Sequence, residues 1–173
     1  MADTPAFLTL RRNRDQAGRR EAPIRRVLIA LLCLLLLAGL LNVFGQRPQT
    51  SKAATSAASL KVYGASRVRS GLIYEARFTI TARSDLKEAT LVLDSGWAEG
   101  ITINTTAPSP VGEGSRDGKL VYTLGHVPAG TSYILYLQLQ VNPTNVGRRS
   151  QDVALYDGDT FLTSIDRTVT IFP

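Results

Sequence analysis

The hydrophobic positions of this chain follow two different patterns, and the change between them falls near residue 45. Residues 27–44, VLIALLCLLLLAGLLNVF, form an apolar run of eighteen positions without a charged side chain. As a helix with a rise of about 1.5 Å per residue, the run is about 27 Å long, close to the thickness of the hydrocarbon core of a bilayer. We therefore predict one transmembrane helix at residues 27–44, through which the protein contacts the lipid bilayer.

From Leu60 onward the hydrophobic pattern has a period of two residues, which is typical of half-buried strands. In the stretch 72–83, every second position from Leu72 to Ala82 is apolar and the intervening positions are polar, with Ile73 as the exception. Similar runs lie at residues 60–68, 88–94, 101–105, 120–124, 132–141, 153–156 and 161–172. Short strands separated by turn sequences, without a helical period, predict an all-β fold, an immunoglobulin-like antiparallel β-sandwich over residues 60–173.

The segment between these two regions has neither pattern. Residues 45–59, GQRPQTSKAATSAAS, are small and polar. Such a composition favours a flexible linker, which as a coil of this length spans roughly 20 Å. We expect this linker to keep the β-sandwich close to the membrane surface.

Charge on the two sides of the apolar run predicts its orientation. Residues 1–26 carry seven arginines against Asp3, Asp15 and Glu21, whereas only Arg47 and Lys52 follow before residue 60. Since basic residues flanking a membrane helix stay on the cytoplasmic side, we predict a basic cytoplasmic tail at residues 1–26 and an extracytoplasmic sandwich, in a single-pass plasma-membrane protein. A cleaved signal peptide is the alternative to an anchor, and its apolar region is normally shorter. The tail would be a topology signal or a segment that attracts anionic lipid or an acidic cytoplasmic partner.

The sandwich region is electrically neutral as a whole. Residues 61–173 contain eleven basic and eleven acidic side chains, so the high isoelectric point belongs to the N-terminal tail. A nucleic-acid-binding domain would carry its basic residues on the fold itself, and we therefore predict no nucleic-acid partner. Cys33 is the single cysteine and lies in the apolar run, so the sandwich has no disulfide.

The residues of the sandwich provide few catalytic groups. His126 is the single histidine, no cysteine is available to pair with it, and no nucleophile-elbow motif is present. We predict no catalytic residue and no cofactor, and we interpret the glycine-rich stretch 112–118 as a flexible loop. Asp157 and Asp159 flank Gly158, a pattern that fits either a hairpin turn or a calcium site.

Three residues are candidates for contact with a partner. Trp97 lies between two predicted strands, where it would cap the core or serve as an exposed recognition residue. Ile134 and Tyr136 belong to the strand sequence YILYL, which is apolar on both faces. Either the linker or loops cover this strand, or the two residues form a surface patch for a partner protein.

The sequence also resembles a family of bacterial domains. The turn Leu124-Gly125 followed by Val127-Pro128-Ala129-Gly130 precedes a strongly alternating strand, in which Tyr133, Leu135, Leu137, Leu139 and Val141 share one face. This arrangement is similar to immunoglobulin-like domains of the cell-adhesion-related (CARDB-like) type, and the resemblance covers residues 60–173. It implies an immunoglobulin-like fold outside the membrane. The chain differs from the family in having one copy rather than repeats, and in having Arg83-Ser84-Asp85 where an Asn-rich turn is usual.

These observations lead to two hypotheses about function. In the first, the chain is a non-catalytic membrane-anchored module whose outer domain binds an unknown membrane or envelope protein, as an accessory to another membrane protein. In the second, it is an exported sandwich that binds carbohydrate or has minor hydrolytic activity. A groove lined by Trp97, Tyr122 or Tyr136 together with convergent carboxylates would favour the second hypothesis.

Overall fold

The computed structural model describes residues 10–43 and 45–173, with side chains described from residue 21 onward apart from residue 44. The chain divides into two compact units, residues 1–43 and residues 44–173. The first contains a helix and the second consists of β-structure.

Helix α1 spans Leu10–Leu40 and contains the predicted apolar segment. Its 20-residue part Glu21–Leu40 is long and apolar enough to cross a membrane, with a mean hydropathy of 2.1 over an 18-residue window. Some signal sequences near an N-terminus are also this long and this apolar. The predicted boundaries, 27–44, differ from those observed at both ends, since α1 begins inside the predicted tail and ends before the last apolar residues.

The C-terminal end of α1 has a local cause. Asn42 adopts a left-handed conformation with φ 53°, and the Val43 amide donates a hydrogen bond of 3.0 Å to the carbonyl of Ala38. This geometry is that of a helix C-cap, in which a residue with positive φ turns the chain away from the helix axis.

The second unit contains twelve strands among its described residues. They are β1 Arg47–Ala54, β2 Ala58–Arg69, β3 Ile73–Ala82, β4 Leu86–Leu93, β5 Ile101–Ala107, β6 Gly112–Arg116, β7 Lys119–Val127, β8 Ser132–Val141, β9 Gly147–Ser150, β10 Val153–Asp157, β11 Thr160–Ile165 and β12 Thr168–Phe172.

The strands of residues 45–173 form two sheets. The seven-stranded sheet has the order β5-β8-β3-β2-β12-β9, with β1 also paired to β2. The five-stranded sheet has the order β11-β10-β4-β7-β6. Strand β2 is antiparallel to β1 and β3 and parallel to β12, and every other pairing is antiparallel.

The core lies between the two sheets. Alternate residues of each strand are buried, such as Phe78 on β3 and Leu137 on β8 from one sheet, and Leu91 on β4 and Leu155 on β10 from the other. Side chains from both sheets belong to one hydrophobic cluster. The predicted all-β, two-layered fold is therefore confirmed.

The predicted flexible linker at residues 45–59 is wrong for most of its length. Residues Arg47–Ala54 form β1, which pairs in antiparallel register with β2 from Arg47 opposite Arg67 to Ala54 opposite Ser59, with a register shift between Arg47 and Pro48. Most side chains of β1 are exposed, so backbone pairing rather than burial holds the strand. A strand held in this way needs no hydrophobic period, which is why its sequence resembles a linker.

The predicted flexible loop at residues 112–118 is also wrong. Gly112–Arg116 forms β6, which pairs with β7 through a tight turn at Asp117 and Gly118. Both turn residues have positive φ, 52° and 75°, as the Asp-Gly sequence favours in a two-residue hairpin.

Candidate interaction surface on the seven-stranded sheet

Three residues of neighbouring strands form a row on the outer face of the seven-stranded sheet. Tyr63 on β2 lies opposite Arg77 on β3, and Arg77 lies opposite Tyr136 on β8. The Arg77 Cζ is 4.9 Å from the ring centroid of Tyr136 and 5.7 Å from that of Tyr63. Both distances are within the range of cation–π attraction. We call Tyr63, Arg77 and Tyr136 the tyrosine row.

An acidic neighbour further orders the guanidinium of this row. The Nη2 of Arg77 donates to Oε1 of Glu75 at 3.1 Å, and each side chain is about half exposed, at 45% and 49%. An exposed ion pair of this kind contributes little to stability, about 0–1 kcal/mol. Its effect is geometric, because the carboxylate and the two rings together restrict the orientation of Arg77.

Ile134 extends the surface beside the tyrosine row. It lies opposite Thr79 in the next row and is 37% exposed, while Tyr136 is 36% exposed. Leu135 and Leu137 of the same strand point into the core. The apolar residues on one face of this strand therefore fill the core, and those on the other face are exposed to solvent. The structure places the predicted residues Ile134 and Tyr136 together on an exposed face, and their binding role stays a prediction.

A shallow cavity of about 330 Å³ borders Tyr136. Its lining includes Glu75, Gln138 and Thr105 from three adjacent strands, together with Gln46 just before β1. The cavity offers a carboxylate and amide groups next to an exposed ring, an arrangement that suits a polar side chain of a partner.

The exposed-recognition role predicted for Trp97 is wrong, and the capping alternative is right. Trp97 is fully buried at the end of a 3₁₀ turn, with its ring centroid 5.2 Å from that of Phe78. Its Nε1 donates to the carbonyl of Asp152 at 3.3 Å. The indole therefore fills the core and satisfies its polar atom within the fold.

Two members of the tyrosine row were missed from sequence. Tyr63 and Arg77 lie on predicted strands, but the hydrophobic pattern predicts only that each of them faces solvent. The relevant signal is the register that brings them opposite one another, and a single sequence does not contain that register.

A buried arginine lies between Trp97 and strand β2. Arg167 is 7% exposed, its Cζ lies 5.8 Å from the Trp97 ring, and its Nη2 donates to the carbonyl of Ala65 at 3.4 Å. Burial lowers the pKa of Arg167, an effect that nearby Tyr74 opposes. Burial also raises the pKa of Tyr74 to about 12, although Gln151 donates a hydrogen bond to its hydroxyl. This cluster is enclosed in the core and has a structural role.

The outer face of the five-stranded sheet is different in character. A row of uncharged side chains crosses the sheet and lines a groove of about 800 Å³; the row consists of Ser164, Ala154, Val92 and Val121. The rim is acidic, with Asp94, Asp117, Asp152, Asp159 and Asp166 alongside Arg116 and Lys119. Neither Trp97 nor Tyr122, both buried, contributes to this groove.

The calcium hypothesis for Asp157 and Asp159 gains no support. These residues belong to a hairpin between β10 and β11, and Gly158 has φ 56°. The Oδ1 of Asp157 accepts a hydrogen bond of 2.8 Å from the Glu88 amide. Within the described part of the chain, no group of three or more His, Cys, Asp or Glu side chains is arranged to hold a metal ion.

The single histidine pairs with an acidic residue on the surface. The Nε2 of His126 lies 2.8 Å from Oδ1 of Asp85, and both side chains are more than half exposed. A dyad this open to water lacks the desolvated environment in which catalytic groups are tuned.

Comparisons with known proteins do not identify a family. No protein-family model and no curated protein matches this chain. Among solved structures, it is similar to the alkylpurine DNA glycosylase AlkC of Pseudomonas fluorescens bound to DNA containing an abasic site analogue, at a TM-score of 0.34 and 14% identity. The match covers 62% of this chain and 28% of that protein, and so weak a likeness carries no functional argument.

Proposed function

We propose that this chain is a non-catalytic, single-pass plasma-membrane protein whose outer immunoglobulin-like domain binds a neighbouring membrane protein as an accessory subunit. Its N-terminus lies in the cytoplasm and its β-sandwich outside. The tyrosine row, exposed beside Ile134, is the observation that carries this proposal.

The strand order supports the immunoglobulin-like assignment. The order β5-β8-β3-β2 matches strands D, E, B and A of an immunoglobulin constant-type sheet, and β11-β10-β4 matches G, F and C of the opposing sheet. Strands β6 and β7 form an additional hairpin next to β4. The CARDB-like resemblance of the sequence leads to the same fold.

The composition of the tyrosine row supports protein binding. Tyrosine and arginine are enriched at the energetic centres of protein interfaces, and apolar neighbours exclude water around them. Because Arg77 is already held by Glu75 and two rings, it loses little conformational freedom when a partner covers it.

The carbohydrate-binding or hydrolytic alternative receives less support from the same surfaces. Trp97 and Tyr122 are buried, at 0% and 4% exposure, and Tyr136 lies on the other sheet from the acidic groove. The three aromatic residues named from the sequence therefore do not converge with the carboxylates, and the aromatic side chain that does line the acidic groove is Tyr156.

Site-specific photo-crosslinking tests the proposed surface. A benzophenone amino acid would replace Ile134 in the full-length chain, with a second variant carrying the probe at Thr90 in the groove of the five-stranded sheet. We expect the Ile134 probe, and not the Thr90 probe, to link one integral membrane protein reproducibly. Equal labelling from both positions, or none from Ile134, would contradict the proposal.

A pair of tyrosine variants provides the matched control. Tyr136→Ala should reduce the yield of that crosslink, whereas Tyr156→Ala, which removes a tyrosine from the opposite sheet, should leave it unchanged. Membrane anchorage has a separate test: the full-mass chain should stay in the pellet after alkaline carbonate extraction, and a shortened, released chain would show a cleaved signal.

A further inference from the structure

The charged side chains of the β1–β2 hairpin are all basic, and uncharged pairs such as Thr50 opposite Tyr63 and a register shift after Arg47 separate its two basic pairs. Lys52 on β1 lies opposite Lys61 on β2, and Arg47 lies opposite Arg67. Across β12, where Thr170 lies opposite both Arg67 and Arg148, the row continues to Arg148 on β9. We call Arg47, Lys52, Lys61, Arg67 and Arg148 the basic ribbon.

The basic ribbon has no internal neutralisation. The side chains of Lys52 and Lys61 are exposed and directly opposed, an arrangement in which like charges destabilise a sheet. Among the described side chains, the ion pairs are Arg77–Glu75, Lys119–Asp94 and His126–Asp85, and none involves the ribbon. The single acidic residue on the strands of the seven-stranded sheet is Glu75, which is already paired with Arg77.

The acidic residues that make the domain neutral lie elsewhere. Five aspartates line the groove of the five-stranded sheet, while the ribbon is part of the other sheet. A net charge of zero therefore does not describe either surface. Neutrality over residues 61–173 does not exclude a basic binding surface, and Arg47 and Lys52 of the ribbon add two positive charges outside that range.

The short covalent connection to α1 limits which anionic partners the basic ribbon can reach. Residues 41–46 are the whole connection between Leu40 and Arg47, and even fully extended it reaches at most about 25 Å. If α1 spans a bilayer, the ribbon is tethered to that bilayer, and its headgroups are present at high effective concentration.

We infer that the basic ribbon binds anionic phospholipid headgroups in the outer leaflet of the membrane that α1 crosses. The inference rests on the anchorage in the proposed function and not on the tyrosine row. Headgroup binding would hold the sandwich at the bilayer surface, where the tyrosine row can meet membrane neighbours.

Energy transfer in vesicles tests this inference on the full-length chain. A donor dye is attached through Thr50→Cys on β1 in a Cys33→Ala background, since Cys33 is the single native cysteine. Acceptor dye is placed on lipid headgroups, in vesicles of phosphatidylcholine with or without phosphatidylglycerol. We expect higher transfer efficiency with phosphatidylglycerol, and loss of the difference at high salt.

Charge variants assign the effect to the ribbon. Lys52→Gln, Lys61→Gln and Arg67→Gln together should abolish the dependence on phosphatidylglycerol, since each lost cation weakens headgroup affinity about fivefold. Lys87→Gln, Arg116→Gln and Lys119→Gln remove the same charge from the β4, β6 and β7 strands and should leave the dependence intact. Circular dichroism would verify that both triple variants retain the β-fold.

Three results would overturn the inference. The first is equal transfer efficiency in the two kinds of vesicle, and the second is an equal loss of the dependence on phosphatidylglycerol in both triple variants. The third is a transfer efficiency that changes when soluble heparin is added but does not depend on phosphatidylglycerol. Failure of the chain to insert into vesicles would instead refute the anchorage, and the carbonate extraction identifies that case separately.

Discussion

The two outer faces of the β-sandwich share one core and differ in almost everything else. The face of the seven-stranded sheet carries large and basic side chains, including the tyrosine row and the basic ribbon. The face of the five-stranded sheet carries uncharged side chains along its middle and aspartates along its rim. Because strand side chains alternate, the inward positions can be equally apolar in both sheets while the outward positions are free to diverge.

The difference shows that the total charge of a domain is a poor guide to its surfaces. Residues 45–173 have thirteen basic and eleven acidic side chains, yet the β1–β2 hairpin has none that are acidic. Partners of opposite charge could therefore bind the two faces of the same domain.

The largest expected effect on the free energy of unfolding comes from a substitution in the core, which both sheets share. Trp97→Ala should lower the free energy of unfolding by about 3–5 kcal/mol, since it removes a fully buried indole that packs on Phe78 and beneath Arg167. Denaturant unfolding, followed by circular dichroism, measures the loss. Tyr136→Ala, a change on the outer face, should cost less than about 1 kcal/mol. Equal losses would mean that the surface and the core are not separable as described.

The next effect is a dependence of stability on alkaline pH. Tyr74 has a pKa of about 12 in the fold against 10.0 when unperturbed, so its contribution is complete below pH 10 and is lost as the pH rises through 12. The loss should be about 2–3 kcal/mol. Comparison of unfolding curves at several alkaline pH values with those of Tyr74→Phe isolates this group. A wild-type slope identical to that of the variant would show that Tyr74 is not the titrating residue.

The smallest expected effect on stability comes from reversing one charge on each outer face of the sandwich. Lys52→Glu replaces a like-charge pair with Lys61 by an attractive one, and should stabilise the fold by about 0.2–1 kcal/mol. Lys119→Glu makes the same substitution on the other face but places a second carboxylate near Asp94, which lies 3.7 Å from the Lys119 Nζ. It should destabilise the fold by a similar amount at low salt. If both substitutions changed stability in the same direction, the proposed segregation of charge would have no energetic consequence.

The strands that could be predicted from the sequence are those with one face buried in the core. The run 132–141 coincides with β8, and the run 72–83 contains β3, since alternation arises when one side of a strand faces a core. The strands that escaped prediction, β1, β6 and β9, are short or largely exposed and therefore carry no alternation. The run 161–172 was predicted as one strand, whereas Asp166 and buried Arg167 interrupt it between β11 and β12.

The candidate site was predictable only in part. Ile134 and Tyr136 are visible in sequence because apolar residues occupy both faces of one strand. Arg77 and Tyr63 gain their meaning from register, and the basic ribbon depends on a strand whose sequence resembles a linker. For Trp97 the sequence does not decide between two placements, because an aromatic residue between two strands fits the same pattern whether it fills the core or faces solvent.

The pairing of β1 with β2 also has a mechanical consequence. The chain that leaves α1 joins the sheet at Arg47 after residues 41–46, so tension between the helix and the sandwich acts first on the hydrogen bonds of this hairpin. A pull along the strand loads these bonds together, whereas a pull across it opens them one after another from Arg47. Complete release of the eight residues of β1 would lengthen the connection by about 27 Å and expose an edge of β2. Strand β1 would then act as an extensible element between the helix and the sandwich.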